Sequence, residues 1–486
     1  MKKNTSRIPS IYIALIAVVT ILFYAAEGTA QQRRTNNKPN IIFIIADDLG
    51  YGDIEPYGQK LIKTPHLVKL AKEGMRFTQF YSGTTVCAPS RSSLMTGMHT
   101  GHTIIRGNKE MKPEGQYPIA DTTFTIAEAL KNAGYTTGLF GKWGLGPMES
   151  TGDPLKHGID RFYGYNCQRV SHRYYPNHLW DNEKKVILEE NENLKKAVTY
   201  APDLIQQQAL KFIDENQQQP FLMFLTYTLP HAELLVPDDS IYQYYKGRFP
   251  ETPHKGDDYG TDATEGGYTS QAFPHATFAA MVSRLDLYVG QVMQKLKALN
   301  LDDNTIVFFT SDNGPHVEGG ADPVFFNSAG GFRGVKRDMY EGGIRVPFIA
   351  RWPGKIKSGT NNNYIGAFWD IFPTFTQIAK TETPTNLDGI SFFPALRSSK
   401  QHQHEYLYWE FHEGGGKQAV RSGNWKAIRL NIFDAGKTTV ELYNLSKDPH
   451  ETNNIATLYP EIVKRLTSLI DEAHNPSDIF PFPKEK

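Results

Sequence analysis

The chain is predicted to fold as an α/β protein, with a mixed, mostly parallel sheet sandwiched by helices and then a smaller α+β unit. Three observations predict this. Four continuous apolar runs each end in charged, amide or imidazole residues, segments with helical apolar spacing lie between them, and from about residue 400 the pattern changes to short segments broken by glycine-rich turns.

The first run, Asn40-Ile41-Ile42-Phe43-Ile44-Ile45-Ala46, ends in Asp47-Asp48-Leu49-Gly50. Unbroken rather than alternating apolarity predicts a strand buried on both faces, as in a parallel sheet covered by helices. The design recurs at 135–140 before Gly141-Lys142-Trp143, at 221–226 before Pro230-His231, and at 305–310 before Ser311-Asp312-Asn313-Gly314. Helices are predicted over about 122–133, 202–216 and 276–299, the last with Phe278, Met281, Val282, Leu285, Val289 and Val292 at helical spacing. In an open α/β sheet ligands gather beyond the carboxyl ends of the strands, where all four polar clusters fall. Segments 405–411, 417–421, 425–430 and 440–443, with turns at Gly414-Gly415-Gly416 and Ser422-Gly423-Asn424, predict an antiparallel sheet, and 459–473 a helix after it. The expected division is residues 31–385 for the larger α/β domain and 386–486 for the smaller one.

Residues 1–30 have a basic start, an apolar core from Ile11 to Ala26 and a small-residue end, which predicts a cleaved signal peptide and an exported, periplasmic or extracellular protein. No cysteine follows the apolar core, which excludes a lipoprotein anchor, and no later segment is apolar enough to span a bilayer. The 52 basic and 52 acidic residues give no reason to expect nucleic acid or a membrane surface as partner. The sequence leaves the oligomeric state open.

One of only two cysteines lies in Val86-Cys87-Ala88-Pro89-Ser90-Arg91-Ser92-Ser93-Leu94-Met95-Thr96-Gly97. Pro89 suits the first turn of a helix and Gly97 its end. Cys87 then stands at a helix N-terminus, where the dipole and free N–H groups lower a thiol pKa, and Arg91 folds back on the same side. The second cysteine, Cys167, is read as packing.

The stretch from Cys87 to Arg91 resembles the C/S-x-P-x-R signature of the type I sulfatases, whose cysteine or serine is oxidised after translation to Cα-formylglycine. Matching blocks run from Asn40 to about Pro353, with a further one at Leu442-Tyr443-Asn444-Leu445-Ser446-Lys447-Asp448-Pro449. The resemblance implies an alkaline-phosphatase-like fold and a sulfuric ester hydrolase matured by a formylglycine-generating enzyme. It also implies a sulfated carbohydrate as substrate, with 4-sulfated galactose or N-acetylgalactosamine as the expected sugar. The hydrated aldehyde attacks sulfur with one hydroxyl and expels sulfate by re-forming the aldehyde.

Asp47, Asp48, Asp312 and Asn313 are four hard oxygen ligands suited to Ca²⁺ or Mg²⁺. The resemblance favours Ca²⁺, with residue 87 completing the site. Arg91, Lys142 and Lys336 supply the positive surround, and His231 matches the leaving-group acid. His172, Arg173, His316, Glu318, Asp322 and Arg345 are the expected substrate contacts. One departure stands out. Many members have histidine two positions after the motif lysine, as the base that reopens the diol, whereas this chain has Gly144 there. His316, His172, His102 or solvent is left to take that role. The rival readings are a phosphate or phosphonate monoester hydrolase on the same fold, and a non-catalytic sulfoglycan-binding relative.

Overall fold

All four apolar runs are strands in the computed structural model, which describes residues 38–112, 114–192, 194–258 and 267–483; the expected signal peptide lies outside the described residues. In chain order the main elements are β1 (Asn40–Ala46), β2 (Met75–Tyr81), α1 (Cys87–Thr96), β3 (Thr136–Lys142), β4 (Arg161–Tyr165), α2 (Ala201–Glu215), β5 (Phe221–Thr226), α3 (Pro274–Ala298), β6 (Thr305–Ser311), β7 (Arg345–Arg351) and α4 (Ile371–Ala379). An antiparallel meander follows, β8 (Leu407–Phe411), β9 (Lys417–Ser422), β10 (Trp425–Leu430) and β11 (Thr439–Asn444), and then α5 (Pro460–Ala473).

The large sheet has a parallel centre in the order β6-β1-β5-β3-β4. β1 shows why its sequence carries no alternation. Ile42, Ile44 and Ala46 pack with Val282, Leu285 and Val289 of α3, while Ile41, Phe43 and Ile45 pack on the other face with Leu94, Phe372 and Phe375. Both faces are dry, so every position is apolar.

Two strands not expected from the sequence lie beside this centre. β7 runs antiparallel to β6, and β2 antiparallel to β7. Because β7 is reversed, it begins at the rim where the parallel strands end, and the loop before it, carrying Lys336, is delivered there. β2 ends at the same rim, Tyr81 opposite Arg345, and the chain passes directly into α1. The Cys87 segment and the Lys336 loop thus reach the same rim through these two strands.

The small sheet packs in two directions. Leu407, Trp409, Phe411, Ala419 and Ile428 cluster with Tyr81, Val86, Trp369 and Ile344 of the large unit, and Tyr408, Val420, Ala427 and Leu442 pack under Leu466 and Ile470 of α5. Among the described residues no helix is long and apolar enough to cross a membrane.

Candidate functional site

Strand ends bring Asp47, Asp48, Asp312, Asn313, Lys142 and His231 to one rim, all fully buried. Lys142 Nζ contacts Asp47 Oδ2 at 2.6 Å, and Arg91 donates from Nη2 and Nε to Asp312 Oδ2 at 2.7 and 3.1 Å. Lys336 Nζ reaches Asp48 Oδ2 at 2.7 Å, the His231 Nε2 atom at 2.9 Å and Glu318 Oε2 at 3.2 Å. Asn313 Nδ2 donates to Asp48 Oδ1 at 2.6 Å. Asp48 has φ 62°, a left-handed conformation that Asp and Asn tolerate better than most side chains.

Burial opposes ionisation of each carboxylate, and the neighbouring cations decide the outcome. For Asp47 burial pushes upward, but Lys142, His231 and Arg91 hold the group below its ordinary range. Asp48 is likewise held low against burial by His231 and Lys336. Asp312 goes the other way, pushed up to about 7 by burial and then by the like charge of Asp47. Asp47 Oδ1 and Asn313 Oδ1 are buried with no hydrogen-bond partner among the described residues. Three carboxylates and two orphaned buried oxygens at one point fit a hard divalent cation, which would satisfy the oxygens and relieve the repulsion.

Cys87 opens α1, as its neighbours predict, and Gly97 closes that helix with φ 70°. The expected low thiol pKa is corrected: burial is the largest influence on Cys87 and pushes the thiol up, although Lys142 acts against it. The helix N-terminus is itself capped, Ala88 N donating to Asn108 Oδ1 at 3.2 Å. The thiol donates to Gln168 Oε1 at 3.1 Å.

Next to Lys336, His231 is sandwiched. His172 stacks on it with ring centroids 3.8 Å apart and His316 lies on the other side at 5.5 Å. The His231 Nδ1 atom faces the Ala232 carbonyl, which leaves Nε2 toward Asp48 at 3.2 Å. Burial pushes His231 down to about 4, Asp48 pulling against it. His172 Nε2 is buried with no hydrogen-bond partner among the described residues, and the His316 Nε2 atom meets the Pro230 carbonyl at 3.1 Å. Glu318 joins through Lys336 and through Arg337 Nη1 at 2.5 Å.

Three of the expected substrate contacts are not brought to this cluster. Arg173 is 1% exposed and its Nη1 is held by Glu233 Oε2 at 3.0 Å, so its charge is used inside the fold. Asp322 folds back onto its own chain, accepting from the amides of Val324 and Phe325 at 3.1 and 2.9 Å. Arg345 pairs with Glu341 at 3.1 Å and donates from Nε to the Thr78 carbonyl at 2.9 Å. His102, an alternative base, spends its ring on Asp388 at 2.8 Å. Arg173→Ala is therefore expected to lower stability by about 3–5 kcal/mol, since it strips the guanidinium from the buried Glu233 carboxylate. KM for any substrate turned over by the folded protein should stay unchanged; urea unfolding and steady-state kinetics read the two separately.

The sequence reading did not single out Asn108 and Gln168, the two amides that touch the start of α1. Neither sits in a chemical motif, and only the bare backbone at Gly144 hints that another side chain fills the space.

Comparison with known proteins places the chain in a family. The family model described as Sulfatase matches residues 39–381, and one described as N-sulphoglucosamine sulphohydrolase, C-terminal, matches residues 331–475. The chain is similar to an N-acetylgalactosamine-6-O-sulfatase of Bacteroides thetaiotaomicron (29% identical, covering 96% of this chain and 99% of that protein). It is also similar to the N-acetylgalactosamine-6-sulfatase of Canis lupus familiaris (31% identical, covering 85% and 74%). Among solved structures, Ps i-CgsB in complex with k-i-k-neocarrahexaose superposes with TM-score 0.75 at 26% identity over 92% of this chain and 96% of that one. A phosphonate monoester hydrolase of Agrobacterium radiobacter shares the fold, with TM-score 0.65 at 20% identity over 90% and 96%.

Proposed function

Because this chain belongs to the sulfatase family and is a sulfuric ester hydrolase, we propose that it removes sulfate from a carbohydrate after Cys87 is oxidised to Cα-formylglycine. The observation that carries the proposal is the buried convergence of Asp47, Asp48, Asp312 and Asn313 with Arg91, Lys142, Lys336 and His231 beside Cys87.

In this reading Asp47, Asp48, Asp312 and Asn313 would hold a divalent cation, Ca²⁺ by preference, which would supply positive charge to polarise a sulfate oxygen. The hydrated formylglycine supplies the attacking hydroxyl. The chain's own groups do the rest. Asp47, Asp48, Asp312 and Glu318 are matched by Arg91, Lys142, Lys336 and Arg337, so a divalent cation would leave the pocket net positive toward an anionic ester. Lys142 and Lys336 are desolvated by burial, yet Asp47 and Asp48 respectively keep them charged, pushing both pKa values above the ordinary lysine value. Such fixed charges stabilise negative charge on sulfate oxygens without reorganising. His231 is the proposed leaving-group acid: its Nδ1 donates to the Ala232 carbonyl and its Nε2 accepts from the charged Lys336 Nζ at 2.9 Å, which supplies the proton that His231 would pass to the leaving sugar oxygen.

For the sugar, sulfated galactose or N-acetylgalactosamine is the proposed class. The curated relatives described above are N-acetylgalactosamine-6-sulfatases, which favours the 6-sulfate over the 4-sulfate expected from the sequence. The proposed setting is outside the cytoplasm. The test is a panel of 4- and 6-sulfated galactose and N-acetylgalactosamine, run beside aryl sulfate, aryl phosphate and a phosphonate ester. Turnover of sulfate esters above phosphate and phosphonate is expected; sulfate turnover at background would sink the reading. Mass spectrometry of the tryptic peptide carrying residue 87 should find formylglycine. Chelation should abolish turnover and lower Tm, and Ca²⁺ at about a hundred times its Kd should return roughly 2.7 kcal/mol of stability.

A further inference from the structure

The place above Gly144 is occupied from another strand end. Gly144 follows β3 with φ 77°, and a Cβ built on it would lie 2.4 Å from Gln168 Nε2, 3.3 Å from Gln168 Cδ and 3.8 Å from Arg91 Cδ. Gln168 begins a one-turn helix, Gln168–Ser171, just after β4, the neighbour of β3. The two strand ends stay laced beyond the sheet, Trp143 N donating to Tyr165 O at 2.9 Å and Gly144 N to Asn166 O at 3.3 Å. This fixes the distance between positions 144 and 168, and the glutamine side chain fills the gap.

We propose that Gln168 is the residue that holds the tip of residue 87 during turnover, with Gly144 kept bare to admit it. The proposal rests on the reading of residue 87 as the nucleophile. Gln168 is 3% exposed, and its Oε1 accepts the Cys87 Sγ hydrogen at 3.1 Å. Nε2 points to the Gly144 carbonyl at 3.5 Å, which sets the oxygen end of the amide toward residue 87. An O–H carried by the oxidised, hydrated residue would meet the same acceptor. The neutral amide neither gains nor loses a proton near neutral pH, so it orients the nucleophile and leaves proton uptake to other groups. Asn108, the second amide near the thiol, has its Oδ1 3.9 Å from Sγ and is committed to the Ala88 amide, so Gln168 is the closer contact.

The arrangement makes positions 144 and 168 a pair. A side chain at 144 collides with Gln168, while loss of Gln168 leaves residue 87 unheld. Gln168→Ala should lower kcat roughly 10²-fold, the cost of about an ångström of misplacement, with KM within about twofold. Formylglycine content, by mass spectrometry of the residue-87 peptide, and Tm should match the unsubstituted enzyme. Gln168→Gly should lose as much, and Gly144→His alone should also be impaired by overpacking. The pair Gly144→His with Gln168→Gly should recover at least about tenfold of kcat over Gln168→Gly, since histidine is among the residues that tolerate the left-handed region and would reach residue 87 from the vacated side. The proposal is overturned if Gln168→Ala keeps full kcat at equal formylglycine content. It is equally overturned if the loss follows a fall in formylglycine content or Tm, or if the double variant is no better than Gln168→Gly. An unsubstituted enzyme with unmodified Cys87 and no sulfate turnover would instead defeat the reading of the site as a whole.

Discussion

Cys87→Ala is expected to abolish sulfate ester turnover, by roughly 10⁴-fold or more, while leaving the protein folded and able to bind substrate. Two independent facts separate chemistry from stability here. The thiol is buried but small, its one close polar contact is Gln168, and its removal costs about 1 kcal/mol on the scale of ordinary substitutions. The cations and carboxylates around it keep their mutual contacts without it. Isothermal titration with a slow sulfated substrate, next to single-turnover assays, reads binding and chemistry apart. A non-catalytic sulfoglycan binder would lose little in either measurement, and Cys87→Ala with undiminished turnover would exclude Cys87 as the nucleophile's source.

Asp48→Ala is expected to be the most damaging change in both stability and activity. One carboxylate meets Lys336, the His231 imidazole and Asn313, so its loss takes the shorter of two carboxylate partners from the buried Lys336 ammonium, leaving Glu318 at 3.2 Å, and removes a candidate metal oxygen at once. Breaking such a buried pair costs about 3–5 kcal/mol. The isosteric Asp48→Asn keeps the left-handed turn and should fold, yet should lose turnover by at least about 10²-fold. Urea unfolding with and without Ca²⁺ discriminates the cause: the midpoint of the unsubstituted protein should rise with Ca²⁺ and that of Asp48→Asn should not. An equal rise in both would mean that Asp48 is no ligand.

The parts of this architecture written locally were readable in the sequence. β1 is apolar at every position because both of its faces are covered, and the residues after it must then stand at a strand end. β2 was hidden for the opposite reason: in Met75-Arg76-Phe77-Thr78-Gln79-Phe80-Tyr81 polar residues are admitted where the strand leaves the sheet's covered centre. β7 was hidden inside a block read for its lysine and arginine. At the site, charged residues at strand ends announced themselves by type and spacing. Arg173 misled because nothing local reveals that Glu233, sixty residues on, takes its charge. Gln168 stayed silent for a related reason, since an amide has no characteristic spacing and gains meaning only beside Gly144.

The loop that carries Lys336 is fastened from behind by the small sheet. Arg333 donates to Tyr443 Oη at 3.0 Å and to the Glu451 carbonyl at 3.0 Å, Lys417 Nζ to the Arg337 carbonyl at 2.6 Å, and Glu341 N to Glu451 Oε2 at 2.6 Å. Lys426, fully buried, lies between Glu341 at 3.0 Å and Glu451 at 2.9 Å. These fasteners come late in the chain, whereas the metal-ligand candidates and residue 87 come early. During synthesis, which delivers the amino-terminal part first, the Lys336 loop therefore stays without this backing until the region around residue 451 has emerged and docked. An interrupted chain would keep the earlier contacts of that loop, Lys336 N to the Pro315 carbonyl at 2.8 Å and Arg337 N to the Thr85 carbonyl at 3.1 Å, yet lack its backing by the small sheet.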